Sequence, residues 1–192
     1  MEKEDGLVER ARISEAKEIR RELEGAAECS KEAFYQRFKE AGMVYGEVFK
    51  GVENVRPGVG KTSYDVRVVD IGETLSRGLL DQPFLISPAT LDAAWQGWLG
   101  STYQNEDGFG SDPKLLLPTF IGELEISAEI AADAGALMAG SCRSLPHGLS
   151  KLSADIDLSD NDLSKVIMSV RDFQLSRVDG MEDSEAVHSP PL

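Results

Sequence analysis

The stretch that decides the fold is ISPATLDAAWQGWLG, residues 86–100. Ser87 followed by Pro88 indicates a helix start, because serine caps free backbone amides and proline has no N–H to satisfy at the first helical position. From there apolar side chains surround nearly the whole helix, which predicts burial on most sides; they are Leu91, Ala94, Trp95, Trp98 and Leu99. The sequence therefore predicts one long buried helix at the centre of the core.

One carboxylate interrupts this apolar run. Asp92 and Gln96 are four residues apart, which places both side chains on the same face of the helix. Burial removes water from a carboxylate and raises its pKa, as a general acid requires, although a position near the helix N-terminus opposes that change. A purely structural pair, in which the amide satisfies the carboxylate, explains this stretch equally well.

The composition excludes several classes of protein. The chain has 192 residues, of which 41% are hydrophobic and 28% charged, as expected for one globular domain. No apolar run approaches the ~18 residues that a membrane span needs, and the charged N-terminus does not resemble a signal peptide. The net charge of −14 argues against nucleic-acid binding. Cys29 and Cys142 are too few and too distant for a disulfide framework, so reduced thiols and a cytoplasmic location are expected.

Helices are expected at the start of the chain and irregular structure at its end. Residues 1–29 are predicted to form a connecting segment, with an amphipathic helix over 7–27 that carries only a thin apolar stripe. A second helix begins after Ser30 and ends at Gly42. Residues 179–192 have little to bury and are predicted to be a disordered tail or interdomain linker.

Two strand candidates precede the central helix and four follow it. The later four are predicted to form an antiparallel meander, after a polar loop over 103–113. Strand candidates lie at residues 44–58, 61–70, 115–127, 136–145, 150–159 and 164–178. A curved antiparallel sheet wrapped around one apolar helix is an α+β arrangement that buries such a helix, and Gly97 and Gly100 permit close approach of the sheet. The sequence thus predicts a hotdog-like layout.

Three short motifs follow one another along the chain: YGEVFKG at residues 45–51, DAAWQ at 92–96 and LPTF at 117–120. In this order they resemble the C-terminal half of polyketide synthase dehydratase domains, with the fungal highly reducing type the most similar. Asp92 with Gln96 matches the family's DxxxQ/H motif, although Ser87 stands where many members carry His before Pro88. The other matches are YGxxFxG at Tyr45, Gly46, Phe49 and Gly51, and an LPF-like strand at Leu117 and Pro118, where Thr119 and Phe120 depart from the usual order. The resemblance covers roughly residues 10–178.

The resemblance implies the second half of a double hotdog, with residues 30–178 as the C-terminal dehydratase hotdog and 1–29 as the linker between the halves. A His of the N-terminal half would remove the α-proton of a 3-hydroxyacyl chain. Asp92 would protonate the departing β-hydroxyl to give an α,β-enoyl thioester, and Gln96 would orient the carboxyl group or the leaving water. The substrate would arrive on the phosphopantetheine of an acyl carrier protein, with no other cofactor. The remaining motif residues would line the substrate channel or shape it: Tyr45, Gly46, Phe49, Gly51, Pro88, Leu117 and Pro118.

The family's catalytic His is missing from this sequence. The only histidines are His147 and His188, and neither stands in the family's HxxxGxxxxP motif. The expectation is therefore that the chain acts as part of a dehydratase, in a secondary-metabolite polyketide synthase, and is inactive without the His-bearing N-terminal half.

Other functions are compatible with the same sequence. The chain could be a non-catalytic hotdog module of a polyketide synthase that binds acyl chains or acts as a scaffold. It could also be a homodimeric hotdog thioesterase or hydratase, which would need a base of its own. No metal site is predicted. Four carboxylates are as closely spaced as those of a calcium loop but lack its other features, and they indicate a solvated turn; they are Asp155, Asp157, Asp160 and Asp162. PGVGKTS, residues 57–63, is predicted to be a hairpin turn rather than a phosphate loop.

Overall fold

The computed structural model describes six parts of the chain, residues 2–69, 85–105, 108–109, 116–127, 134–147 and 151–177. Its helices are α1 (Glu2–Glu22), α2 (Lys31–Glu40) and α3 (Pro88–Gln96), with 3-10 turns at Glu47–Phe49 and Gly97–Ser101. Its strands are β1 (Val52–Gly58), β2 (Lys61–Arg67), β3 (Tyr103–Asn105), β4 (Gly108–Phe109), β5 (Leu116–Ile126), β6 (Leu137–His147), β7 (Lys151–Ser159) and β8 (Val166–Arg177). None of these helices is both long and apolar enough to cross a membrane.

Six strands form one antiparallel sheet in the order β1-β2-β6-β7-β8-β5. The predicted meander is right for β6, β7 and β8, but wrong for β5, which pairs with β8 instead of its sequence neighbour β6. Strand β5 therefore forms one edge of the sheet and β1 the other. The predicted loop over 103–113 is partly a short hairpin of β3 and β4, and the predicted tail lies outside the described residues.

Helix α3 packs on one face of this sheet, as the predicted α+β arrangement requires. Ser87 caps it by accepting a hydrogen bond from the Thr90 amide, and Pro88 occupies the first turn. The core between helix and sheet includes Ala93, Ala94, Trp98, Tyr64, Val66, Ile156, Leu158, Val170 and Phe173. Two expectations need correction: α3 has only nine residues before the 3-10 turn, and its Leu91–Asp92–Trp95 side is half-buried, so burial is not complete all round.

Glycines set how closely the helix approaches the sheet. A Cβ added to Gly97 would lie 2.1 Å from the ring of Tyr64, and one added to Gly100 would lie 2.3 Å from Thr62 Oγ1. The Tyr64 hydroxyl donates to the Ala94 carbonyl at 2.5 Å, which ties strand β2 to the last turn of α3. The predicted role of both glycines is confirmed.

Helix α1 crosses the opposite face of the sheet, over β2, β6, β7 and β8. It carries a thin apolar stripe, as predicted: Val8 and Ala11 are exposed, and the buried apolar side chains are Ile13, Ala16 and Ile19, with Leu23 just after the helix. Ion pairs flank the stripe, at Arg20–Asp65, Arg12–Glu125 and Arg143–Glu15. The helix is thus held to the sheet by a thin apolar contact and by charges at its sides.

The four clustered carboxylates do not form one turn. Asp157 lies in β7, is 5% exposed and pairs with Arg171, and Asp155 also lies in that strand. Asp160 accepts from the Ser164 amide at 2.7 Å and closes the turn before β8. The predicted solvated turn is therefore right only for the later two residues, and PGVGKTS is a hairpin turn in which Gly60 has φ +69°.

We expect Gly97→Ala to lower the free energy of unfolding by about 1–3 kcal/mol, because the new methyl group meets the fully buried ring of Tyr64. Gly46→Ala is the matched control, since no atom lies within 4 Å of a Cβ there and its φ is −71°. That variant should stay within about 0.5 kcal/mol of the parent. Urea unfolding of the three proteins checks this, and equal midpoints for the two variants would contradict the close packing.

Candidate active site

The site is assembled from α3 and the segment that joins α2 to β1. Ser30 caps α2 by accepting from the Ala33 amide, and Gly42, with φ +96°, follows its end. The helix buries Phe34, Tyr35 and Phe38. Tyr45 then packs edge-on against Phe38, with ring centroids 5.0 Å apart. An aromatic cluster thereby positions the start of the YGxxFxG segment against the core.

The rest of that segment contributes backbone to the site. The 3-10 turn Glu47–Phe49 points the Phe49 carbonyl at α3, while the Phe49 side chain is 41% exposed. A Cβ on Gly51 would lie 2.9 Å from Cβ of Ala93, so glycine is needed where β1 begins against the helix. Nothing in the structure explains the glycine at Gly46.

Asp92 and Gln96 are in direct contact, as their spacing predicts. Gln96 Nε2 donates to Asp92 Oδ2 at 2.7 Å and to the Phe49 carbonyl at 3.0 Å. Gln96 is 2% exposed, whereas Asp92 is half-buried. Among the described residues, no hydrogen-bond partner meets the second oxygen of Asp92, Oδ1. Within the described part of the chain, the protein therefore holds one oxygen of this carboxyl group and makes no hydrogen bond to the other.

Tyr35 is the third side chain of the site, and its role was not predicted from the sequence. Its hydroxyl donates to Gln96 Oε1 at 2.7 Å and accepts from the Val52 amide at 2.9 Å. The aromatic content of α2 indicates a core face, but no spacing rule relates position 35 to position 96. Only the packing of α2 against α3 and β1 brings these groups together.

Burial governs the protonation of the site. It raises the pKa of Asp92, and the hydrogen bond from Gln96 only partly opposes that rise. Burial also raises the pKa values of Tyr35 and Tyr45, and the charge of Asp92 adds to both. The two phenols therefore stay neutral over the range in which Asp92 titrates.

Other predicted residues lie elsewhere. Pro88 is in the first turn of α3, but Leu117 and Pro118 lie exposed in the edge strand β5, where Pro118 pairs with Leu175 of β8. No hydrogen bond of the described residues joins these two to Asp92 or Gln96. His147 ends β6, exposed, with Nε2 2.8 Å from Ser153 Oγ, and His188 lies outside the described residues.

Other chemistries find little support in the described part of the chain. No three His, Cys, Asp or Glu side chains there are arranged to hold a metal ion. Both cysteines are free, and burial raises the pKa of the Cys142 thiol to about 12. A thiol of that kind is a poor nucleophile at neutral pH.

Comparison with known proteins gives the family. The profile described as "Polyketide synthase dehydratase N-terminal domain" matches residues 15–185. Reducing polyketide synthase hmp8 of Hypomyces subiculosus is 54% identical over 161 residues, which are 82% of this chain and 7% of that protein. Highly reducing polyketide synthase ZEA2 of Gibberella zeae is 50% identical over 179 residues, 93% of this chain and 7% of that protein. The chain therefore spans less than a tenth of the length of these relatives.

A solved structure confirms the fold. The dehydratase domain from the CurJ module of the curacin polyketide synthase matches 85% of this chain and 53% of its own, with a TM-score of 0.65 and 15% identity. The predicted hotdog fold is confirmed by this likeness. The predicted assignment to the C-terminal half is not confirmed, because the matching family profile is described as N-terminal. At the level that the matches share, this chain belongs to the polyketide synthase dehydratase family.

Proposed function

We propose that this chain is the acid-bearing half of a polyketide synthase dehydratase, which removes water from a 3-hydroxyacyl chain to give an α,β-enoyl thioester. The observation that carries the proposal is the half-buried carboxylate of Asp92, with one oxygen held by Gln96 and the other without a partner in the described residues. A group that must keep a proton near neutral pH and deliver it in one direction needs this environment.

The distribution of catalytic groups supports the assignment to the Asp-bearing, C-terminal half. The chain has the DxxxQ pair at Asp92 and Gln96 but no HxxxGxxxxP motif, and it matches about half of a solved dehydratase chain. Among similar solved structures, a CurJ dehydratase with His replaced by Phe (TM-score 0.62, 16% identical) and a CurK dehydratase with Asp replaced by Asn (TM-score 0.55, 23% identical) are each described as inactive. The CurJ protein thus needs its His and the CurK protein its Asp, and this chain would supply the Asp.

The hydrogen bond from Gln96 decides which oxygen of Asp92 carries the proton. An amide nitrogen donates and does not accept, so a proton on Oδ2 would oppose the N–H that points at it. Neutral Asp92 therefore carries its proton on Oδ1, the oxygen that faces no protein group in the described residues. The β-hydroxyl of the substrate would receive its proton from that atom.

The reaction then balances with two side chains and no resident cofactor. A His of the partner half takes the α-proton, and the electrons of that C–H bond form the new double bond. The Cβ–O bond breaks, and the hydroxyl leaves as water with the proton from Asp92 Oδ1. Asp92 remains as a carboxylate, which the donor bond from Gln96 stabilises until a proton returns. The acyl chain would be presented on the phosphopantetheine of an acyl carrier protein.

In isolation the chain should show no measurable dehydration of a 3-hydroxyacyl thioester, because the base is on the other half. Loss of a general base typically costs about 10²- to 10⁴-fold in rate. The assay follows the enoyl product with and without an added His-bearing half. Turnover by the chain alone that survives His147→Ala would contradict the proposal, and so would the absence of turnover from the two halves together when both are folded.

In a complete dehydratase that contains this chain, Asp92→Asn should lower turnover by at least about 10²-fold, because shape is kept and the transferable proton is lost. Gln96→Ala should lower turnover less, since the proton remains and only its orientation suffers. Unfolding midpoints measured on the same proteins separate catalysis from stability. Activity that merely follows the folded fraction in both variants would favour the structural pair or the non-catalytic acyl-binding module.

Asp92 should also make stability depend on pH in a defined direction. Its folded-state pKa is raised above the ordinary value, so the proton favours the folded state. As pH rises from about 4 through the folded-state pKa, the parent should lose stability relative to Asp92→Asn. The two proteins should match below about pH 4, and the variant should be the more stable at pH 7. Urea unfolding at several pH values tests this, and the opposite trend would show a charge-stabilised Asp92.

A further inference from the structure

We propose that Tyr35 is a positioning residue for the acid, because its hydroxyl holds Gln96 Oε1 and so helps to keep Nε2 of that side chain on Asp92. A catalytic role for Tyr35 rests on the proposed function, in which Asp92 is the acid. The structural part is a series of hydrogen bonds, each with a defined donor, that runs from the backbone of β1 to the carboxyl group on α3.

The first donor in this series of hydrogen bonds is a backbone amide. The Val52 amide can only donate, and it donates to the Tyr35 hydroxyl at 2.9 Å. With that oxygen accepting from Val52, its own proton is available for Gln96 Oε1 at 2.7 Å, which can only accept and lies closer than the second acceptor, the Phe49 carbonyl at 3.5 Å. The Tyr35 hydroxyl is thus polarised by a group that cannot rotate or change protonation.

The far end of the amide is determined by two acceptors. Gln96 Nε2 has two N–H groups, and both are used, one on the Phe49 carbonyl at 3.0 Å and one on Asp92 Oδ2 at 2.7 Å. If the amide turned over, its oxygen would face a carbonyl and a carboxylate, and its nitrogen would face the Tyr35 hydroxyl. All three hydrogen bonds of the Gln96 side chain therefore favour the same orientation.

Burial makes this orientation matter. Gln96 is 2% exposed and Tyr35 is 7% exposed, so water cannot readily replace a lost partner, and an unpaired buried polar group is costly. Without the Tyr35 hydroxyl, Oε1 loses the donor that distinguishes it from Nε2. The two acceptors still hold Nε2 in place while Asp92 is ionised, but a protonated Asp92 could donate to a turned-over Oε1, so loss of the Tyr35 hydroxyl favours the protonated carboxyl group.

In the described part of the chain, two phenols and several charged side chains lie in the neighbourhood of Asp92. Tyr35 on α2 and Tyr45 after it face Asp92 closely enough to feel its charge. The charged side chains Lys31, Lys39, Glu32, Glu47 and Lys50 line a pocket of about 360 Å³ that these phenols share. Glu53 of β1 also acts on Tyr35. The Tyr45 hydroxyl has no bond to Gln96, its contact being the sulfur of Met43 at 4.0 Å.

The test is a carbon-13 NMR titration of the Asp92 carboxyl in this chain. Tyr35→Phe should raise the titration midpoint by about 0.5–1 pH unit, because loss of the Tyr35 hydroxyl favours the protonated carboxyl group. Tyr45→Phe makes the same chemical change in the same aromatic cluster and should leave the midpoint where it is. An unchanged midpoint in Tyr35→Phe, or an equal rise in both variants, would overturn the inference.

A second background separates positioning from a general structural role. In Gln96→Ala the amide is absent, so adding Tyr35→Phe should leave the midpoint of Asp92 unchanged. A residue that only supports the fold would move the midpoint equally in both backgrounds, and that result would overturn the inference. The effect of Tyr35→Phe is measured once with Gln96 present and once with Gln96→Ala. A loss of stability that Tyr35→Phe causes in both proteins would therefore not produce a midpoint change in only one of them.

Failure of this inference and failure of the proposed function are distinguishable. If Asp92→Asn leaves a complete dehydratase active while the titrations give the expected shifts, Asp92 is not the catalytic acid, but the hydrogen bonds from Tyr35 through Gln96 to Asp92 are supported. If Asp92→Asn abolishes turnover while Tyr35→Phe fails to shift the midpoint, only the role of Tyr35 falls.

Discussion

The ring of Tyr64 lies between two glycines, and the rest of the fold depends on that contact. Gly97 follows α3 and Gly140 lies opposite on β6, and a Cβ at either position would lie within 2.4 Å of the ring. The helix can therefore rest on the sheet at the distance of one aromatic ring. The Tyr64 hydroxyl, fully buried, reaches the Ala94 carbonyl and so has the partner that a buried polar group needs.

The contact of Tyr64 with these glycines also determines where Asp92 and Gln96 lie. With the inner side of α3 against the sheet, the side that carries Asp92 turns toward the α2–β1 segment and remains half-buried. Gly51, in contact with Ala93, brings the Phe49 carbonyl to Gln96. Burial at this depth raises the pKa of the Asp92 carboxyl group, and one of its oxygens stays clear of the protein groups described.

The edge of the sheet formed by β5 is more exposed than the strands under α3. Strand β5 is mostly exposed, and several of its apolar side chains are among the exposed large hydrophobic groups: Leu117, Phe120 and Leu124. Natural proteins usually cover or blunt such an edge. An edge of this kind agrees with a proposal in which this hotdog works beside a second half. The motif residues Leu117 and Pro118 would then matter for that neighbour or for the substrate, since they do not contact the acid through hydrogen bonds.

The sequence by itself determined the features that depend on near neighbours along the chain. These include the start of α3 at Pro88, the pairing of Asp92 with Gln96, and the succession of β6, β7 and β8, because caps, helical spacing and strand period are local properties. Only the tertiary structure decided the place of β5 beside β8, the half-buried side of α3, and the use of Tyr35 to orient Gln96. Each depends on which distant segments meet. No residue spacing within one segment encodes that, because it follows from how the helices and the sheet pack as a whole.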